Sequence, residues 1–297
     1  MIQEMTLTEY LHKHYSATSI KGYENMIRRY CAVMGERAIR ATYTGVLEYI
    51  GILRKENLHP KSLRNNLFAI KIYFNYLLEV GQIQEHPCKH LYLKDQINRQ
   101  IHVENLYTKE FLEQFYQDFY QNYEPTNITH WSRDKIILSL LIYQALTVLE
   151  ISQIKVRDVD LYEGIINIKA NKKNKSRTLH LKSNQILLMY NYLNNEWNNY
   201  HEKANPNERV NYFILSNQGK QIWKSGINRM INRNRKTEKI TPLKIRQSVI
   251  ANLLKEKHDI RVVQEFAGHR RTSSTEAYKQ TGLEELKQVI AKLHPLQ

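Results

Sequence analysis

Residues 267–278 read AGHRRTSSTEAY, which places His269 and Tyr278 nine positions apart in a run dense with hydroxyls and arginines. A tyrosine phenol can act as a nucleophile, but with an unperturbed pKa of about 10 it attacks weakly near neutral pH. Against a phosphodiester it also meets the target's own negative charge, so cations must surround the phosphate. Arg246 in TPLKIRQS and Lys172 in ANKKNKS are cations upstream of that run. The whole chain leans the same way. Over 297 residues, 44 Lys and Arg face 29 Asp and Glu, a net charge of +15 that favours a polyanion, with nucleic acid the obvious candidate. Taken singly, each residue has a plainer reading. Tyr278 is one of 20 tyrosines and would pack in a core, His269 after Gly268 would cap a helix, Arg246 would pair on a surface, and Lys172 would sit in an exposed charged turn.

The joint order of these residues resembles the catalytic domain of the tyrosine recombinases, the phage-integrase and Xer-like family. That family's C-terminal signature runs T-P-H-x-L-R, then L-G-H, then eight residues and the tyrosine; TPLKIR, AGH and Tyr278 match it without a gap. The resemblance covers the whole chain, with the N-terminal helices similar to the family's core-binding domain and FNYLLEVGQIQEHPC similar to its junction with the linker. It implies that Tyr278 attacks a DNA phosphate to form a 3′-phosphotyrosyl link, while Arg246 holds a non-bridging oxygen and His269 donates to the same phosphoryl group. Lys172, on a hairpin turn, would protonate the departing 5′ oxygen, although Lys173 or Lys175 could be that acid instead. No metal and no other cofactor is implied. The implied partner is double-stranded DNA, bound by a homo-tetramer with or without a partner recombinase. In the tail helix expected at 282–297, Leu283, Leu286, Val289, Ile290 and Leu293 form an apolar stripe suited to a neighbouring protomer or to the chain's own domain.

Two positions depart from the family pattern. QALTVLEI stands where the family has T-G-L-R-x-x-E-L, so Thr147 replaces the first catalytic arginine while Glu150 is kept, and Leu243 replaces the histidine of T-P-H-x-L-R. Losing one preorganised donor typically costs about 10²–10³ in rate. Lys244 beside Leu243, or Arg229 or Arg233 on the preceding basic helix, could compensate, and Thr147 could still bond a phosphate oxygen without charge. The resemblance thus implies a DNA strand-transferase, slowed or silenced by these changes. The alternatives are a catalytically impaired DNA-binding accessory or regulatory member of the family and, ranked last, a relaxing enzyme like the type IB topoisomerases. Lys173, Lys175, Arg177, Arg229, Arg233 and Arg235 are expected to contact DNA phosphates in each case.

The elements that must position these residues follow from periodicity. TLTEYLHKHY, TSIKGYENMIRRYCAVMG, TYTGVLEYIGILRKEN and PKSLRNNLFAIKIYFNYLLEVG space apolar residues three and four apart, the pattern of a four-helix unit over residues 1–85. Residues 86–106 break the period, hold Pro87 and are expected to be a linker. Residues 107–297 form the second expected domain. In it, helical segments flank three β-type runs, VRDVDL, GIINIK and RTLHL, so the fold class is mainly α with a small antiparallel β-sheet. Residues 136–151 are the most apolar stretch, but polar interruptions make them a buried helix and not a membrane span. Cys31 and Cys88 are the only cysteines, which fits a reducing, cytoplasmic setting, and the N-terminus shows no signal-peptide pattern.

Overall fold

The computed structural model describes residues 5–96, 101, 103–121, 130–206, 211–233, 235 and 238–278. The tail helix expected at 282–297 lies outside them. The chain is mainly helical with one small antiparallel sheet, and it divides into two compact units, Met1–Arg99 and Gln100–Gln297.

In the first unit, helices α1 (Leu7–His14), α2 (Ala17–Met34), α3 (Tyr43–Lys55) and α4 (Pro60–Glu79) enclose one apolar core. Local chemistry sets their starts. Thr6 and Glu9 form a capping box before α1, Thr42 caps α3, and Pro60 opens α4 where its missing N–H costs nothing. On α2, Ile20, Ile27, Tyr30 and Met34 recur at helical spacing on the buried face. Tyr30 is fully buried and donates its hydroxyl to the Ala38 carbonyl at 3.1 Å.

Residues 86–95, expected to belong to a linker, instead complete this core. Cys88, Leu91 and Leu93 are buried in it, Lys71 donates to the Lys89 carbonyl, and Arg54 grips Asp95 with Nε at 3.1 Å and Nη2 at 2.8 Å. The lost periodicity reflects a turn at 87–90 followed by an irregular segment, where burial does not require a repeat.

The second unit is built around α6 (Trp131–Tyr143), which is buried on nearly every side through Ile136, Ile137, Leu138, Leu140, Leu141 and Ile142. A helix apolar all round belongs in the middle of a domain. Packed against it are α5 (Lys109–Gln121), α7 (Val148–Gln153), α8 (Ser183–Tyr192), which a π-helical turn continues into α9 (Asn198–His201), α10 (Lys224–Ile231) and α11 (Pro242–Lys255). The polar end of α6 is also satisfied. Gln144 donates to the His180 carbonyl and to Gln185, which in turn donates to Ser139.

The sheet has the order β1 (Val159–Asp160), β2 (Ile165–Ile168) and β3 (Arg177–His180), antiparallel throughout, with Ile166 opposite Leu179 and Ile168 opposite Arg177. Of the first β-type run only Val159–Asp160 is strand, because Val156–Asp158 closes into a 3-10 turn. Helix α12 (Ile260–Ala267) packs on α11 and on β3. Gly268 ends α12 at φ +69°, in the left-handed region that glycine enters without strain.

The loop from α6 to α7 holds Ala145 at φ +48°. A side chain in that region costs roughly 1–2 kcal/mol, part of which glycine's greater unfolded entropy would cancel. The Ala145 methyl is fully buried, and losing it costs about 0.8 kcal/mol more, so Ala145→Gly should leave the stability read from urea unfolding within about 1 kcal/mol of the native value.

Candidate functional site

Glu150 lies in the first turn of α7, a helix that begins where it does because Thr147 caps it. Thr147 accepts from the Glu150 N–H at 3.2 Å, while the Thr147 N–H and hydroxyl donate to Glu150 Oε2 at 2.8 and 2.9 Å. The other carboxylate oxygen faces the β2–β3 turn. Oε1 accepts from Asn174 Nδ2 at 2.9 Å and from Arg177 Nη1 at 2.7 Å. Both side chains of the Glu150–Arg177 pair are almost wholly buried. Burial pushes the Glu150 carboxyl up, but the Arg177 and Thr147 bonds outweigh it and hold the group below the usual carboxylate range.

The same turn is fastened to the end of α12. Lys175 N–H donates to the Gly268 carbonyl at 2.8 Å, Asn174 bridges to His269, and Arg270 donates to the Asn171 carbonyl at 2.7 Å. Arg177 lies against the Gly268 backbone so closely that a Cβ there would stand 2.5 Å from its Nη1. This glycine thus serves both the left-handed helix end and the close approach of a guanidinium.

Arg246 projects from the second turn of α11 and is buried. Its Nη1 donates to the carbonyl of Ala145 and its Nη2 to the carbonyl of Ala267 at 2.5 Å, which ties α11 to the loop before α7 and to the end of α12. His269 bonds Thr275 Oγ1 through Nδ1 at 2.8 Å. Burial, then the charges of Arg246 and Arg177, push its pKa down to about 4, so the imidazole is neutral at pH 7. Tyr278 is half-buried beside Ile250, Val263 and Ala267. Burial raises its phenol pKa, while the Arg246 charge and a bond from Gln247 act in the opposite direction. Arg177, His269 and Tyr278 each lie within electrostatic reach of the Arg246 charge. The arrangement can hold an anion, because two guanidiniums face one carboxylate and a neutral imidazole.

The remaining expected residues are placed as follows. Lys172, Lys173 and Lys175 are exposed on the docked turn. Arg229 is exposed on α10, whereas Arg233 pairs with the buried Asp134 at 3.2 Å and Arg235 lies over the Phe115 ring. Leu243 is 65% exposed on the first turn of α11 and donates nothing. Lys244, expected to compensate for it, is instead drawn away to Glu238 at 3.1 Å and over the Tyr107 ring. Thr147 is likewise committed, since its hydroxyl serves the capping box.

Arg177, expected among the residues that contact DNA phosphates, is not on the exposed surface but buried with Glu150 in the candidate site. The signal that identifies it is strand alternation, because in R-T-L-H it shares the inward face with Leu179. Among the described residues no group of three or more His, Cys, Asp or Glu side chains is placed to hold a metal ion, and no helix is long and apolar enough to cross a membrane.

Comparison with known proteins gives a consistent set of relatives. Residues 110–284 match the phage integrase family. A tyrosine recombinase of Agathobacter rectalis is 27% identical over 245 residues, covering 80% of this chain and 77% of the relative. Tyrosine recombinase XerC of Oceanobacillus iheyensis is 24% identical over 302 residues, covering 98% and 95%. Among solved structures, the XerH site-specific recombinase bound to difH substrate in a pre-cleavage complex aligns with a TM-score of 0.71 at 19% identity, covering 96% of this chain and 84% of that one. The Tn1549 transposon integrase in complex with circular intermediate DNA aligns with a TM-score of 0.61 at 16% identity, covering 95% and 99%.

Two outcomes follow from the buried charges. Glu150→Ala leaves Arg177 without its carboxylate and should destabilise the protein by roughly 3–5 kcal/mol in urea unfolding, with Glu150→Gln falling in between. For His269, an NMR titration should show a midpoint near about 4 in place of 6.5. The unfolded chain takes up that proton first, so the stability contributed by neutral His269 is complete above about 6.5 and is lost as pH falls toward about 4.

Proposed function

Because the chain belongs to the phage integrase family of tyrosine recombinases, we propose that it binds duplex DNA and cleaves and rejoins strands through a 3′-phosphotyrosyl bond to Tyr278. The observation that carries this reading is the convergence of Arg246, His269 and Tyr278 at one corner of the second unit. The turn bearing Lys172 is fastened to that corner through Asn174 and Lys175.

Each residue suits its proposed step. Arg246 presents a charged donor that no change near neutral pH removes. When the Thr275 hydroxyl donates to His269 Nδ1, the ring proton sits on Nε2, and a neutral imidazole can donate to a phosphoryl oxygen without carrying charge of its own. Tyr278 gives up its phenolic proton to solvent, its oxygen bonds to phosphorus, and the bond to the 5′ oxygen breaks as Lys172 transfers a proton to that leaving group. A 5′-hydroxyl then reverses the step on the same or another strand. Burial raises the phenol pKa in the free protein, and the Arg246 charge acts in the opposite direction.

The proposal extends to the first unit as a core-binding, DNA-contacting domain and to assembly as a homo-tetramer on DNA, alone or with a partner recombinase. Exposed Lys172, Lys173, Lys175 and Arg229 would supply phosphate contacts that place the duplex. A duplex selected for tight binding from a random pool, nicked beside the cleavage position so that the released end diffuses away, provides the test. The native chain should form a covalent adduct stable to denaturant, and Tyr278→Phe should form none while binding the duplex as before. Absence of any adduct, with binding intact, would instead identify the impaired accessory protein.

A further inference from the structure

Arg177 holds Glu150 with only one of its nitrogens. Nη1 bonds Glu150 Oε1 at 2.7 Å and reaches the Lys175 carbonyl at 3.5 Å, but Nε and Nη2, although shut off from solvent, have no hydrogen-bond partner. These two nitrogens form a single edge of the planar guanidinium, the one that grips an oxyanion side-on. Two other arginines of this chain fill that edge. Arg54 presents Nε and Nη2 to the Asp95 carboxylate at 3.1 and 2.8 Å, and Arg133 presents the same pair to Asp134 Oδ1 at 3.0 and 2.9 Å. A buried, charged fork left unmatched is costly in a folded chain unless a ligand completes it.

The position of the guanidinium as a whole indicates the ligand. Arg177 and Thr147 bind opposite oxygens of the same carboxylate, so the guanidinium stands beside the residue that takes the place of the family's first arginine. It also lies against Gly268, next to His269. Two guanidiniums and one carboxylate leave a single positive charge, the complement of one phosphodiester. We propose that Arg177, through Nε and Nη2, is the second cationic clamp on the scissile phosphate and supplies from strand β3 the charge that Thr147 does not supply from α7. Glu150 orients that clamp by holding Nη1, and Arg246 provides the other clamp.

The inference rests on the proposed strand cleavage, and its test separates the two. Single-turnover adduct formation is compared on two nicked duplexes, one with an ordinary scissile phosphodiester and one with a scissile methylphosphonate, in which a methyl group replaces a charged non-bridging oxygen. Arg177→Lys keeps a cation for Glu150 but lacks the fork. On the phosphodiester it should react about 100-fold or more slowly than the native chain, under conditions where both proteins are folded and saturated with duplex. On the methylphosphonate, which has no charge to neutralise, the two proteins should react within about threefold of each other.

Equal slowing on both substrates would show that Arg177 only braces the fold, and no slowing on either would show that its fork is idle; each result overturns the inference while leaving Tyr278 cleavage standing. A native chain that forms no Tyr278-dependent adduct on the phosphodiester overturns both readings. Should Arg177→Lys fail to fold, the paired replacement Glu150→Gln with Arg177→Met removes both buried charges together and undergoes the same comparison.

Discussion

The buried pair of Glu150 and Arg177 is the contact through which the second unit brings its chemistry together. Its carboxylate serves the start of α7 through Thr147, the β2–β3 turn through Asn174 and strand β3 through Arg177. Such a pair adds little net stability, because desolvating two charges offsets most of their attraction. Its contribution lies in register. With either partner gone, the other is left charged in an apolar surrounding, so only arrangements that keep α7, the turn and β3 together are tolerated.

From that contact the rest of the site follows by backbone bonds. The turn held by Asn174 is in place to receive the Gly268 carbonyl, which settles the end of α12 and the position of His269. Arg246 closes the circuit by bonding carbonyls on both sides, at Ala145 and Ala267. Burial, and after it the charges of Arg246 and Arg177, lower the proton affinity of His269, and the Arg246 charge opposes the effect of burial on Tyr278. Exposed lysines on the turn face solvent. The second unit thus carries two kinds of cation: guanidiniums buried and fixed by a carboxylate and by backbone carbonyls, and ammonium groups left exposed on the turn.

Much of this was legible in the sequence. The helices of both units show in apolar residues spaced three and four apart, and the small sheet in three short β-type runs. Thr147 could be identified as a departure from the family pattern from its place three residues before Glu150. The error over residues 86–95 has a physical origin: a turn and an irregular segment bury Cys88, Leu91 and Leu93 in the core of the first unit without any repeat that periodicity could detect. Lys244 looked available because it neighbours Leu243, yet Glu238 and Tyr107 occupy it through space.

The sequence by itself determined which segments have an apolar face to bury, and the order in which arginine, histidine and tyrosine recur, since both are properties of near neighbours along the chain. Tertiary structure alone decided which cations are buried and which are free. Arg177 meets its carboxylate across 27 positions and Arg246 its carbonyl across 101. A charge's partners, and hence its solvation, proton affinity and remaining hydrogen-bonding capacity, depend on distance in space, which separation along the chain does not encode.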